Sequence, residues 1–367
     1  MAVTIPGAGK GISFRPKAWY NTGKAETRER RTDMAFENKT LGELLEDPRI
    51  RRIAPDAIRR RDLRNEETWN RTLAEIHSER FFASDIGRGM ERLYAAADSG
   101  SWYFPLYSEE ECAQDSARKG VNVIWLPSAD PAAEKRPFVL VVPGGGFVNV
   151  WNLTEGWPIA AQFNELGYHA AVLTYQVEGK EGLLAKNMED FARALRLIRE
   201  NRDVFHTDGD RYMTCGFSAG GYLVCLWNTG LGYPAFGLPK PQAVIPVYPF
   251  VSPKLAAGDD EPGTDTEEDL EEDMGLYGCS LWEAVEKDYE IPEHAEGFPP
   301  CALFLAGDDG LVDPEHSKTL ARALEKAGVP CRLEIGPDGG HGFGDGTGMC
   351  MAGWPERAVR WIEEQKE

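Results

Sequence analysis

Four short segments of this 367-residue chain set reactive side chains, or bare backbone N–H groups, among glycines. One is Gly216-Phe217-Ser218-Ala219-Gly220, a G-x-S-x-G pentapeptide between a strand-like run, RYMTC, and a helical stretch. A sharp strand-to-helix turn would lift the serine hydroxyl clear of a sheet, and flanking glycines avoid the clashes that side chains would make there. A second, Pro143-Gly144-Gly145-Gly146-Phe147, directly follows the apolar run FVLVV. Its glycines leave backbone N–H groups uncovered, so the oxygen of a tetrahedral intermediate could come within hydrogen-bond distance; one such donor is worth about 3 kcal/mol of barrier. The run has neither the Lys-Ser/Thr of a phosphate loop nor the G-x-G-x-x-G spacing of a dinucleotide site.

Serine is a weak nucleophile until a base takes its proton, and that base must be oriented by a third group. Downstream of Ser218 come GDDG, with Asp308 and Asp309, and then DGGHGFG, with His341 among glycines. The local frame Asp309-Gly310-Leu311-Val312 sets Asp309 one step clear of the preceding strand and favours it as the acid, with Asp308 as the alternative. The order Ser, Asp, His is that of the α/β-hydrolase triad and not of the other serine-triad orders. The remaining histidines (His77, His169, His206, His294, His316) lack such a setting and are expected at the surface or at helix ends.

Elements able to position these groups are legible around them. Beyond Gly120, short β-branched runs (121–126, 138–142, 170–175, 211–215, 243–248, 301–306, 331–335) alternate with amphipathic helical stretches. That alternation predicts an α/β fold with a mostly parallel central sheet flanked by helices. Residues 1–110 read as a helical N-terminal extension, and 111–367 as a catalytic domain carrying an insertion at about 252–298. Ten of the fifteen residues Asp259–Asp273 are acidic, while 49–64 hold seven arginines (49, 51, 52, 59, 60, 61, 64). The extension could therefore cap the catalytic face, drawn toward the acidic insertion.

From about Val121 onward the chain resembles α/β-hydrolase esterases of the acetyl-esterase and hormone-sensitive-lipase-like type, in the bacterial acetyl or xylan esterase-like branch. VVPGGGF, TEGWPIAAQFNELGYHAAVLTYQV, TDGDRYMTCGFSAGGYL and GDDGLVDPEHSKTLARALEKAGVPCRLEIGPDGGHGFG carry the likeness. It implies Ser218 as nucleophile, Asp309 as acid, His341 as base, and an oxyanion hole from the N–H groups of Gly145, Gly146 and Ala219. Pro143 stands where the family often has His, and Gln176 where it usually has Arg, so a buried ion pair is expected to be missing. The likeness points to a serine ester hydrolase acting on a small or short-acyl ester, an acetyl ester of a sugar or small alcohol being favoured, with no metal or organic cofactor. A serine peptidase, a lipase or a non-enzymatic ligand-binding homologue are the alternatives. Phe147, Trp151 and Tyr222 are candidates for substrate contact; Trp157, Tyr248 and Phe250 also lie near the motifs, and half or more of these six aromatic residues are expected in the core.

Composition excludes other classes. With 40 basic and 60 acidic residues the net charge is −20, which would repel a nucleic-acid backbone. No stretch approaches the roughly 20 apolar residues of a membrane span, and the first residues lack a secretory apolar core, so a cytoplasmic protein, free or homo-oligomeric, is expected. Seven scattered cysteines with no C-x-x-C pair suggest small buried side chains, not a disulfide framework or zinc site.

Overall fold

The computed structural model describes residues 2–3, 12–13, 36–53, 66–76, 82–100, 102–177, 181–258 and 266–365. Its centre is an eight-stranded sheet: β1 (Tyr103–Pro105), β2 (Asn122–Leu126), β3 (Phe138–Val142), β4 (Ala170–Thr174), β5 (Tyr212–Phe217), β6 (Val244–Val247), β7 (Cys301–Ala306) and β8 (Cys331–Gly336). Spatial order is β8-β7-β6-β5-β3-β4-β2-β1; β2 runs antiparallel to β4 and β1 antiparallel to β2, and every other pairing is parallel. The seven strand-like runs all became strands. β1 was not anticipated, because it has three residues and ends in a proline, which only a sheet edge tolerates.

Strands β2 to β7 are buried along their whole length, since helices cover both faces. Seven helices matter below: α1 (Ala83–Ser99), α2 (Trp157–Glu165), α3 (Leu183–Glu200), α4 (Ala219–Leu226), α5 (Glu267–Leu276), α6 (Glu315–Lys326) and α7 (Trp354–Glu364). Alternation along β3 shows the two layers. Phe138, Leu140 and Val142 pack with side chains of α3, α4 and α6, whereas Val139 and Val141 pack with those of α1, α2 and α7.

The N-terminal helices join the second layer. Leu41, Leu44, Leu45, Ile50, Ile53 and Leu73 are buried with Ile86, Met90 and Leu93 of α1. Gly89 lets α1 lie directly on the start of α2: a Cβ there would come within 2.8 Å of the Pro158 nitrogen. Arg49 pairs with Asp47 and Asp98, and Arg52 lies over the Tyr103 ring. Among the described residues no ion pair joins the arginine run to the acidic one; Arg59, Arg60, Arg61, Arg64 and residues 259–265 lie outside them. Of the acidic run, Asp269 caps α5 through Thr266, and Asp273 accepts from the Leu281 amide.

One sequence expectation needs correction. His169 and His316 are buried, each accepting a backbone N–H (Ser128 and Val251) at Nδ1, so they serve the core. The position of Gln176 is no gap in the polar core. Its backbone N–H and its Nε2 both donate to Asp190, and the Tyr107 hydroxyl donates to the same carboxylate at 2.7 Å; the ion pair is absent, as expected, and neutral donors take its place. Burial lifts the Asp190 carboxyl to about 6 despite these three bonds. All seven cysteines are free; Cys215, Cys225, Cys279 and Cys301 are buried and Cys350 is exposed.

Candidate active site

The four glycine-flanked segments meet at the C-terminal ends of the parallel strands, where an open α/β sheet presents loops to a ligand. Ser218 follows β5 directly with φ 51° and ψ −118°, a conformation an ordinary residue holds only when its surroundings enforce it, at a cost of about 1–3 kcal/mol. Glycine is required on both sides. A Cβ at Gly216 would strike the Gly220 carbonyl, and one at Gly220 would strike the carbonyl of Val142.

Ser218, His341 and Asp309 form one hydrogen-bonded chain. His341 Nε2 lies 2.9 Å from Ser218 Oγ, and Nδ1 lies 2.8 Å from Asp309 Oδ2. Asp309 Oδ1 accepts the amides of Leu311 and Val312 at 2.9 and 3.0 Å, which fixes the carboxylate in its turn. Burial alone would raise this carboxyl, but the bond from His341 and the two amides outweigh it and hold it below its ordinary value. Asp308 points elsewhere: its Oδ1 accepts the Gly340 amide at 2.8 Å, holding the turn that carries His341.

Facing Ser218 is the glycine loop after β3. Gly145, Gly146 and Phe147 have φ of 137°, 59° and 60°, all in the left-handed region. Among the described residues no acceptor takes the Gly145 or Gly146 amide, and Ala219 is the first residue of α4, whose leading N–H groups have no intrahelical partner. A Cβ on Gly144 would sit 2.7 Å from the Phe217 carbonyl and 2.9 Å from Ser218 Cβ, so this loop reaches the serine only because the residue is glycine. The arrangement can hold a hydroxyl beside a base and offer N–H donors to a developing oxyanion.

Residues 140–345, more than half of the chain, match a family described as the alpha/beta hydrolase fold. The chain belongs to that family. Among known proteins this α/β-hydrolase is similar to endo-1,4-beta-xylanase B of Butyrivibrio fibrisolvens (27% identical over 230 residues, covering 60% of this chain and 34% of that protein). It is also similar to an acetylxylan esterase of Xylanibacter ruminicola (26% identical over 241 residues, 62% and 45%). The chain thus spans less than half the length of these two relatives. Among solved structures, an acetyl ester-xyloside bifunctional hydrolase from Caldicellulosiruptor lactoaceticus superposes with a TM-score of 0.58 at 24% identity, covering 72% of this chain and 96% of that one. An esterase from Thermogutta terrifontis with propionate bound gives 0.54 at 22% identity, covering 66% and 89%. Both show the same fold.

Sequence reading missed one part of this α/β-hydrolase site. Glu155 is buried beneath the glycine loop, where Oε2 accepts the Gly144 amide at 2.7 Å and Oε1 accepts the Tyr248 hydroxyl at 2.9 Å. The same hydroxyl accepts the Gly344 amide at 3.2 Å, three residues beyond His341, and the Tyr248 ring lies 4.8 Å from the imidazole. Glu155 and Tyr248 thereby bridge the glycine loop to the histidine loop. Burial raises the Glu155 carboxyl above its ordinary value, against the two bonds that favour its ion. One signal was available: between Phe138 and Asn164 the chain carries a single charged residue, Glu155.

The aromatic candidates divide. Phe147 and Trp151 are half-buried next to the loop. Tyr222 is buried, donates its hydroxyl to the Tyr289 carbonyl at 2.8 Å, and stands edge-on behind Phe147; it can support the wall of a site but offers no exposed surface of its own. Trp157 and Tyr248 are likewise buried, and Phe250 is half-buried against Tyr222.

Proposed function

We propose that this α/β-hydrolase is a serine carboxylic-ester hydrolase acting on short-acyl esters, acetyl esters of a sugar or small alcohol being favoured. The observation that carries the reading is the continuous Asp309–His341–Ser218 chain at the head of a strained strand-to-helix turn. In the proposed reaction Ser218 Oγ attacks the ester carbonyl while His341 Nε2 takes its proton, and Asp309 holds the imidazole in the tautomer that can do so. The N–H groups of Gly145, Gly146 and Ala219 receive the charge that develops on the carbonyl oxygen. His341 then returns the proton to the departing alcohol, and water, deprotonated by the same imidazole, hydrolyses the acyl-enzyme.

Support for a short acyl group comes from the relatives: one is named an acetylxylan esterase, one an acetyl ester-xyloside hydrolase, and a third binds propionate. Phe147 and Trp151, flanking the glycine loop, are the proposed substrate contacts. The test is a series of p-nitrophenyl esters from acetate to decanoate, run beside acetylated xylan and peptide anilides. The reading expects the highest kcat/KM at two to four carbons and fluorophosphonate labelling of Ser218. Turnover of the anilides would make the protein a peptidase, a preference for the longest chains would make it a lipase, and no turnover or labelling at all would leave a ligand-binding homologue.

A further inference from the structure

The loop that delivers His341 is poor at holding itself. Gly339, Gly340, Gly342, Gly344, Gly346 and Gly348 all adopt positive φ, between 57° and 131°, so the segment has large freedom to lose and few side chains with which to anchor. One of those side chains is Asp345. It is fully buried, and its Oδ2 accepts Arg88 Nη1 at 3.1 Å and also the amide of Gln162, while Oδ1 accepts the Thr347 backbone N–H at 2.8 Å.

Arg88 belongs to α1, 257 residues earlier and outside the segment that matches the family. Asp85, one turn before it on the same helix face, is buried as well. We propose that α1 is a positioning element for catalysis, gripping Asp345 through Arg88 so that His341 is held in reach of both Ser218 and Asp309. The inference rests on the proposed hydrolase activity and assigns the helical extension a part in it.

Three observations support the grip. Burial, with Asp345 nearby, raises the Asp85 carboxyl above its ordinary value, so Arg88 is the cation that faces this acidic pocket. Arg88, whose second contact is Glu165 at 3.8 Å, then balances the remaining charge. Gly89, one residue on, brings the helix against α2, which contributes Gln162 to the same carboxylate. The anchor point stands four residues from His341, and a displacement of about 1 Å at a reacting group can cost 100-fold in rate.

The experiment compares wild type with Arg88→Met, Arg88→Lys and Asp345→Asn, measuring kcat, KM and the folded fraction for p-nitrophenyl acetate. Wild-type turnover and Ser218 labelling first establish the hydrolase reading; their absence overturns that reading and not the grip. Given turnover, Arg88→Met is expected to lower kcat per folded molecule about 10- to 100-fold with KM within about twofold, and Arg88→Lys to restore a large part. Asp345→Asn, close in shape, is expected to fall several-fold in kcat and serves if Arg88→Met does not fold. Unchanged kcat per folded molecule in Arg88→Met, or in Asp345→Asn where the first is unfolded, overturns the proposal. So does a loss confined to KM.

Discussion

Tyr248→Phe removes one oxygen atom from the bridge between the two catalytic loops, and its cost can be worked from the contacts. The ring stays packed, 4.8 Å from the His341 ring and 4.7 Å from that of Phe343, and the backbone keeps its unusual φ of 37°, so neither a cavity nor released strain confuses the outcome. What disappears is the donor to Glu155 Oε1 and the acceptor of the Gly344 amide. A hydrogen bond to a charged group is worth about 1.5–3 kcal/mol and a neutral one about 0.5–1.5 kcal/mol, which together give about 2–4 kcal/mol of lost stability. The sign of the pH dependence is also determined. Because burial raises the Glu155 carboxyl in the folded protein, stability falls as pH rises between the free-carboxylate value and the folded one; losing a bond that favours the ion extends that fall to higher pH. Urea unfolding at pH 5 and pH 8, with kcat for p-nitrophenyl acetate, measures both effects. An unfolding free energy within about 0.5 kcal/mol of wild type at both pH values, with unaltered kcat, would refute the bridge.

Other expectations concern single groups. Ser218→Ala should reduce ester hydrolysis by at least about 1,000-fold while urea unfolding shows no loss of stability, since the hydroxyl serves chemistry and the turn is set by its glycines. Asp309→Asn should lower kcat by orders of magnitude and Asp308→Asn by far less, because only Asp309 reaches His341; steady-state kinetics showing the reverse order would reassign the acid. Gly144→Ala should cost more in kcat than in KM, because its Cβ must push the Phe217 carbonyl or Ser218 Cβ away, and a crystal structure would show the loop displaced. Asp190 should make wild-type stability decline by about 3 kcal/mol as pH rises from about 4 to about 6, since the folded protein retains a proton that the unfolded chain releases. Asp190→Asn should lack that slope in calorimetry over the same range.

The strands and the nucleophile turn were legible for a shared reason: both are local. A buried parallel strand declares itself as an unbroken apolar run, as FVLVV does, and the turn at Ser218 declares itself through glycines that local sterics demand. The meeting of Ser218, Asp309 and His341 was legible because each follows its own strand. β1 was not, since three edge residues ending in proline have no period to read. Glu155, Asp85 and Asp345 stayed hidden for a different reason. Asp85 and Asp345 look like ordinary surface acids in their own stretches, Glu155 is marked only by standing as the one charge in an apolar stretch, and the meaning of each depends on a partner, 11 residues away for Glu155 and 257 for Asp345.

That division follows from what the loops must be. To bring the glycine loop and the imidazole of His341 to one serine hydroxyl, the backbone has to turn where side chains would collide, so these loops are built of glycine. Six positive-φ glycines between Gly339 and Gly348 each forgo about 0.4–1 kcal/mol that a less flexible residue would keep, together about 2–6 kcal/mol of added ordering cost. The anchors are of the same size. Trp354 Nε1 to the Gly344 carbonyl, the Gly344 amide to Tyr248, and Arg88 and Gln162 to Asp345 contribute about 1 kcal/mol apiece, and somewhat more where charge is involved. The Asp308 carboxylate adds a further anchor at the Gly340 amide. The histidine loop is held by groups from the turn after β6, from α2, from α7 and from the N-terminal extension together, so a substitution in any of them is expected to show in kcat as well as in the unfolding free energy.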